Sequence, residues 1–355
     1  MQLSPLKTQR IMLLVIAALL PGISVSTWFF GWGVVINVAL ATFFALGLEA
    51  LALVAQKKPI KKYLSDNSAL VTAIIFAITI PPGSAWWIVL LGIAFAILLA
   101  KHVYGGLGQN PFNPAMCGYL FLLLSFPLDM TSWHIPTELF FQESTYSPLG
   151  WEGLKLSLLA AFPFFQATTE TIDGMTMATP LIVSKMAGTN ALLDATQNGS
   201  ALFSRNSETG WELVNIAYLL GGMVLLALRI ISWHIPLTII TTVAVVATLF
   251  HSPNSSAVFG TPYLHLFGSA TMVGAFFIAT DPVSAATTSK GRVLYGIIIG
   301  VGIYSIRVWG SYLDSIAIAV LFGNFCAPLL DHYCRPRIYG HPKRSWRSWI
   351  MSKKT

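Results

Sequence analysis

The fold class is decided by residues 11–48, which read IMLLVIAALLPGISVSTWFFGWGVVINVALATFFALGL and contain no Asp, Glu, Lys or Arg. A helix that crosses a bilayer needs about 20 consecutive, mostly apolar residues, so this stretch is long enough for two crossings. Residues 67–100, 102–128 and 230–280 also lack these four residue types. The sequence therefore predicts an all-α protein that crosses a membrane many times.

The composition of the whole chain excludes several other classes of protein. Only 10% of the 355 residues are charged, whereas a soluble globular protein carries about 25%. The formal net charge is +7, but the basic residues cluster between long uncharged runs, which is typical of membrane proteins and not of nucleic-acid binders. The three cysteines have no metal-ligand spacing, so neither a disulfide framework nor an iron–sulfur site is expected.

Proline, glycine and polar residues divide the apolar stretches into ten predicted membrane-spanning helices. Breaks in the helical pattern are expected at Pro21-Gly22, at Pro81-Pro82-Gly83 and at residues 251–256. The predicted spans are 11–30, 33–55, 67–81, 85–101, 114–128, 211–230, 235–251, 260–280, 292–308 and 312–331.

The distribution of Lys and Arg predicts the orientation. If the N-terminus is cytoplasmic, 17 of the 21 basic residues fall on the cytoplasmic side, and a bias of this size decides topology. The prediction is a first five-helix half at 1–128, an external, periplasmic loop at 129–210, a second five-helix half at 211–331 and a basic tail at 332–355. Both termini are then cytoplasmic.

A weak internal repeat accompanies this division. A shift of 200 residues pairs identical residues at five of the ten positions in 76–85 and 276–285. Because each predicted half has an odd number of spans, the second half would be inverted relative to the first. Inverted repeats with broken helices are the layout of many transport proteins.

Three motifs carry residues that are suited to chemistry. Residues 173–179 read DGMTMAT in the predicted external loop, residues 105–116 read GGLGQNPFNPAM, and residues 277–285 read FIATDPVSA. Together, at this spacing, they resemble the D subunit of the Rnf (Rsx) ion-translocating electron-transport complex. The chain is more distantly similar to the B subunit of the sodium-pumping NADH:quinone reductase. The resemblance covers essentially the whole chain.

The resemblance implies a flavoprotein whose FMN phosphate is esterified to a threonine of the first motif. It assigns the covalent FMN to Thr179, with Asp173, Gly174, Thr176 and Ala178 as the frame that a flavin transferase recognises. Without the resemblance, the same residues would be interpreted as a surface turn, in which a glycine permits a backbone that other residues disfavour.

The resemblance also implies a second, non-covalent flavin, riboflavin, in the membrane domain. Asn110 and Asn113 are the candidate residues, because each amide offers both donors and acceptors to the rim of a flavin ring. Pro111 and Pro114 remove backbone donors beside them. The alternative is a pair of Asn-Pro turns that start a helix.

Two carboxylates are candidates for an ion pathway. Glu49 lies among Leu and Ala in the second predicted span, where an ionised carboxylate costs about 2.5–3.5 kcal/mol at the bilayer centre; nearer the end of the span it would reach the lipid headgroups instead. Asp281 precedes Pro282, and it either accepts hydrogen bonds from a broken helix end or coordinates a cation with Ser284. His102, at a span end, is expected at the membrane interface.

The function that the resemblance implies is a membrane subunit of a redox-driven ion pump. Such a subunit, not catalytic alone, would relay electrons through covalent FMN and couple their transfer to Na⁺ or H⁺ movement. Its expected partners are the A, B, C, E and G subunits of the complex and the lipid of the bacterial inner membrane. The alternatives are a small-solute channel or secondary transporter, for which an inverted repeat is equally suitable, and an assembly subunit that has lost its flavin.

Overall fold

The structure, a computed structural model, describes residues 5–134, 149–165, 176–177, 205–251, 261–310 and 315–335. In the first part of the chain the helices are α1 (Pro5–Phe30), α2 (Gly33–Ala55), α3 (Ile60–Leu64), α4 (Ser68–Thr79), α5 (Trp86–Ala94), α6 (Pro114–Ser125), α7 (Pro127–Thr131) and α8 (Trp151–Ala161). In the second part they are α9 (Arg205–Ala227), α10 (His234–Phe250), α11 (Pro262–Phe267), α12 (Thr271–Val273), α13 (Ser289–Trp309) and α14 (Ser315–Tyr333).

The described chain also contains two π-helical segments, a 3₁₀ turn and a pair of short strands. A π-helical segment continues α5 over Phe95–His102, and a second follows α12 over Gly274–Ile278. A short 3₁₀ turn covers Pro163–Phe165. The two-residue strands β1 (Trp133–His134) and β2 (Thr176–Met177) pair antiparallel.

Five described helices are long and apolar enough to cross a membrane: Thr8–Phe30, Gly33–Ala55, Gly210–Ala227, Ser289–Trp309 and Ser315–Tyr333. Four more apolar helices are shorter: Ser68–Thr79, Trp86–His102, Pro114–Ser125 and His234–Phe250. The prediction of a helical, multi-pass membrane protein is therefore confirmed.

Two details of the predicted helix pattern are wrong. The predicted span 260–280 is not one helix, because the chain breaks between α11 and α12 at residues 268–270 and then continues as a π-helical segment. The break expected at Pro21 is also absent, since Pro21 lies inside α1. Membrane helices tolerate an internal proline, and α1 ends instead near Gly31, whose φ of 77° suits glycine.

Small residues let the two parts of the chain approach closely. α1 packs against α9, where a Cβ added to Gly221 would overlap the carbonyl oxygen of Ala18 and one added to Gly22 would overlap the ring of Tyr218. In membranes such small residues allow the close van der Waals contact that holds helices together. This contact brings the beginning of the chain beside residues 205–227.

The order of the helices repeats along the chain. α1 begins at Pro5 and α9 at Arg205, and α2 begins at Gly33 and α10 at His234. α6 begins at Pro114 and α14 at Ser315. The starting points therefore recur at intervals of about 200 residues, the same shift that aligns residues 76–85 with 276–285 in the sequence.

Candidate functional site

A cavity of about 480 Å³ lies between the first turns of α1, α4, the loop before α6 and the segment that follows α12. Asn110, Asn113 and Asp281 all line it, together with Lys101. The structure thus brings together residues from two motifs that are far apart in the sequence. We call this space the Asn cavity.

The two asparagines in the wall of the Asn cavity differ in their bonding. Asn113 is the N-cap of α6: its Oδ1 accepts from the backbone N–H of Met116 at 3.3 Å, and its Nδ2 donates to the carbonyl of Ile278 at 3.3 Å. The Nδ2 of Asn110 donates to the carbonyl of Phe112 at 2.9 Å. The Oδ1 of Asn110 is buried and has no hydrogen-bond partner in the described chain. An unpaired buried acceptor is costly, so this oxygen is suited to a ligand that donates a hydrogen bond.

Asp281 lies at the break that follows the second π-helical segment. Its Oδ2 accepts from the hydroxyl of Ser284 at 2.7 Å, and its Oδ1 accepts from the backbone N–H of Val283 at 3.4 Å. The backbone carbonyl of Asp281 accepts from the N–H of Ala285 at 3.1 Å, so the residue bridges the turn after the helix. These are the bonds expected of a residue at a helix end, one of the two roles considered for Asp281; cation coordination stays a prediction.

Glu49 is not an isolated carboxylate. It is 2% exposed and forms a buried ion pair with Lys101, whose Nζ lies 2.7 and 2.8 Å from the two carboxylate oxygens. The same Nζ donates to the hydroxyl of Ser68 at 2.8 Å. All three ammonium hydrogens are therefore used. The charge of Lys101 is therefore compensated inside the helix bundle.

His102, which is expected at the membrane interface, belongs to the same buried cluster. It is 7% exposed, its Nε2 lies 3.2 Å from Glu49, and its Nδ1 lies 3.2 Å from the amide nitrogen of Gln56. Lys101 and His102 are the last residues of a π-helical segment, a rare conformation that is frequent at functional sites.

A second, smaller cavity of about 80 Å³ lies at the other ends of α1 and α4 and beside the first turns of α6. Phe30, Trp133 and Trp211 line it and contact one another, with ring centroids 5.0 to 6.0 Å apart. We call it the Trp cavity. These aromatic residues were not recognised as a group in the sequence, because they come from three separate segments.

The first motif reaches the edge of the Trp cavity through the β-strand pair. Thr176 and Met177 form β2, and Met177 is paired with Trp133. The other motif residues, Asp173, Gly174, Ala178 and Thr179, lie outside the described residues. The observation is therefore limited to the two residues in the middle of the motif, which lie beside an aromatic cluster.

The comparison with known proteins identifies the family. A sequence model described as the NQR2, RnfD, RnfE family matches residues 3–340. The chain belongs to this family. The resemblance to the Rnf D subunit that the three motifs suggested is therefore confirmed.

Several relatives of this family are similar over almost their whole length, and each is named as the D subunit of an ion-translocating oxidoreductase complex. The protein of Vibrio cholerae is 48% identical over 346 residues, 94% of this chain and 95% of the relative. That of Aliivibrio salmonicida is 47% identical over 342 residues, 95% of each chain. That of Aeromonas salmonicida is 46% identical over 340 residues, 94% of this chain and 95% of the relative.

Proposed function

We propose that this chain is the flavin-carrying membrane subunit of a redox-driven ion-translocating complex, with FMN esterified to Thr179. The names of its relatives support a subunit of such a complex. The flavin proposal is carried by one observation. The strand Thr176–Met177 pairs with β1, and Trp133 of β1 belongs to the aromatic cluster with Phe30 and Trp211. Thr179 follows β2 by two positions in the sequence, and aromatic side chains such as those beside β1 can pack on a flat ring.

The covalent bond would give the complex a redox group that cannot diffuse away. A flavin exchanges one or two electrons, and a tether converts its encounter with a redox partner into a local event. In this proposal the residues of this chain hold the attachment point and bury the ring, while the A, B, C, E and G subunits supply the other carriers. A flavin transferase installs the FMN on the periplasmic side of the inner membrane.

The attachment is tested by coexpressing the chain with a flavin transferase and measuring flavin fluorescence in a denaturing gel. We expect fluorescence from the wild-type chain, none from Thr179→Val, and wild-type fluorescence from Thr169→Val, a control in the same predicted loop. Mass spectrometry of the peptide containing Thr179 measures the adduct directly. An unmodified peptide from the matured native complex would refute the proposal and favour a channel or transporter.

We further propose that the Asn cavity holds riboflavin. Its volume of about 480 Å³ lies within the roughly 300–1,000 Å³ of small-molecule sites, and the unpaired Oδ1 of Asn110 can accept from the ring's N–H. Denaturation should release one non-covalent flavin from the wild-type complex. Asn110→Leu should lose this flavin and keep the covalent one, whereas Gln109→Leu, an exposed neighbour, should keep both.

Helix starting points recur at an interval of about 200 residues, which supports two halves of five spans each. Because five is an odd number, the second half would be inverted relative to the first. We propose that Na⁺ or H⁺ passes between these halves, near Glu49 and Asp281. Because Lys101 holds both oxygens of Glu49, this carboxylate can bind an ion only if the ammonium group moves away. Asp281 has no such partner among the described cations within salt-bridge distance, so it is the more accessible of the two.

A further inference from the structure

Two arginines line an open cleft just beyond the end of α9. The cleft has a volume of about 560 Å³ and is lined by Arg229, Ser232, Trp233 and Arg292 with three aliphatic side chains. None of these lining residues is acidic. We call it the Arg cleft. Ile230, Ile231 and Arg292 line both the Arg cleft and the Asn cavity, so the two spaces adjoin.

The backbone does not explain why an arginine occupies position 229. Arg229 ends α9 in a left-handed conformation with φ of 55°, and its N–H and that of Ile230 donate to the carbonyls of Leu226 and Leu225 at 2.9 and 3.0 Å. Glycine is the preferred residue at this position of a helix end. The backbone conformation therefore does not require an arginine at this position.

Lys57 provides a matched comparison. It ends α2 with φ of 54°, and its N–H and that of Lys58 make the same pair of hydrogen bonds to Val54 and Leu53, each 3.0 Å. A basic residue near a helix C-terminus is favourable for the helix dipole at both places. Lys57, however, does not line the Arg cleft. Arg229 shares the cleft with a second arginine, Arg292.

Arg292 is oriented toward a ligand by its other contact. Its Nε donates to the carbonyl of Ala286 at 3.2 Å, and its two terminal amino groups make no hydrogen bond within the described chain. Two guanidinium groups and a hydroxyl without a carboxylate match the oxygens of a phosphate group. The hydrophobic residues Val224, Leu228 and Leu237 are exposed on the adjoining surfaces of α9 and α10.

We propose that the Arg cleft binds the phosphate headgroup of an anionic phospholipid, whose acyl chains lie along α9 and α10. Basic pockets between membrane helices are suited to such headgroups, and Trp233, which is 57% exposed, is the type of residue that lies at the boundary between headgroups and acyl chains. The exposed apolar surface beside the arginines distinguishes a lipid from free phosphate. The proposal does not depend on a flavin.

The experiment uses the delipidated, detergent-solubilised complex and native mass spectrometry, with tetraoleoyl diphosphatidylglycerol, dioleoyl phosphatidylglycerol, dioleoyl phosphatidylcholine and inorganic phosphate as probes. The wild-type complex should bind the two anionic lipids in preference to phosphatidylcholine. Arg229→Gly should weaken this binding about fivefold, and Arg229→Gly with Arg292→Gln about 25-fold. Lys57→Gly, the matched control, should leave the affinity unchanged.

Arg229→Gly also serves as the folding control, since glycine suits the left-handed backbone and the variant should melt no lower than wild type. Equal lipid affinities for Arg229→Gly and Lys57→Gly would overturn the proposal. Equal binding of phosphatidylcholine would overturn it as well, as would displacement of the lipid by inorganic phosphate at millimolar concentration or the absence of anionic-lipid binding by the wild-type complex.

Discussion

Replacement of Lys101 by methionine tests whether the buried ion pair with Glu49 stabilises the helix bundle. Methionine keeps most of the side-chain volume and removes the ammonium group, so the two contacts of 2.7 and 2.8 Å are lost. The carboxylate then keeps only the Nε2 of His102, at 3.2 Å. Removal of one partner from a buried pair costs about 3–5 kcal/mol, because the remaining charge stays buried without compensation.

The double variant Lys101→Met with Glu49→Gln separates the charge from the shape. Without either charge the pair no longer needs compensation, and replacing a buried ion pair by neutral groups is often close to neutral. We therefore expect the double variant to regain most of the roughly 3–5 kcal/mol lost by the single one. Lys61→Met, an exposed lysine on α3, should change the free energy of unfolding by less than about 0.5 kcal/mol.

The assay is equilibrium unfolding of the purified chain in mixed micelles, followed by far-UV circular dichroism as the denaturing detergent is increased. The free energy of unfolding is compared for the wild type, Lys101→Met, Lys61→Met and the double variant. A loss below about 1 kcal/mol for Lys101→Met, the size that is usual for exposed ion pairs, would refute the reasoning. A double variant that is less stable than Lys101→Met would also refute it.

Two further predictions use the packing of the helices. Gly221→Ala should lower the free energy of unfolding by about 1–3 kcal/mol through overpacking, since its Cβ would overlap the carbonyl of Ala18; Gly47→Ala, which meets nothing within 4 Å, should be neutral or stabilising. Trp211→Leu should leave the proposed covalent flavin attached but raise its emission in the folded protein, because a nearby indole quenches flavin fluorescence. Trp151→Leu, an exposed control at 76%, should leave the emission unchanged.

Local sequence signals were sufficient to find most of the helices. Each apolar run is long enough to be recognised by itself. Every predicted span except 260–280 is overlapped over most of its length by one described helix. Asn113 is the N-cap of α6 and Pro114 is its first residue, so the start of this helix could also be predicted from neighbouring residues. The same rule misplaced a break at Pro21, because a membrane helix can continue through proline when its neighbours support it.

The break in the predicted span 260–280 could not be predicted, because its hydrogen bonds come from elsewhere in the chain. Asn215, on α9, donates to the carbonyl of Phe267 at 2.8 Å and accepts from the N–H of Met272 at 3.3 Å. Arg307, on α13, donates to the carbonyl of His265 at 2.6 Å and to the hydroxyl of Thr271 at 3.0 Å. These partners satisfy backbone groups that an unbroken helix would pair internally.

The polar cluster at Glu49 was missed for a similar reason. The sequence showed one carboxylate in an apolar span, and its partners Lys101 and His102 lie 52 and 53 positions later, at the end of a different predicted span. Only the packing of α2 against the π-helical segment brings them together. The cost of burying an isolated charge predicts that Glu49 has compensating partners. It does not show which residues these partners are.

The Asn cavity and the Trp cavity share parts of their walls. On α6, Ala115 faces the Asn cavity and the next residue, Met116, faces the Trp cavity; on the second π-helical segment, Phe277 and Ile278 divide in the same way. α6 and the second π-helical segment therefore form a shared wall between the Asn cavity and the Trp cavity. Because protein interiors are close-packed and transmit strain, a change in what fills one cavity must shift the shared elements, and with them the wall of the other.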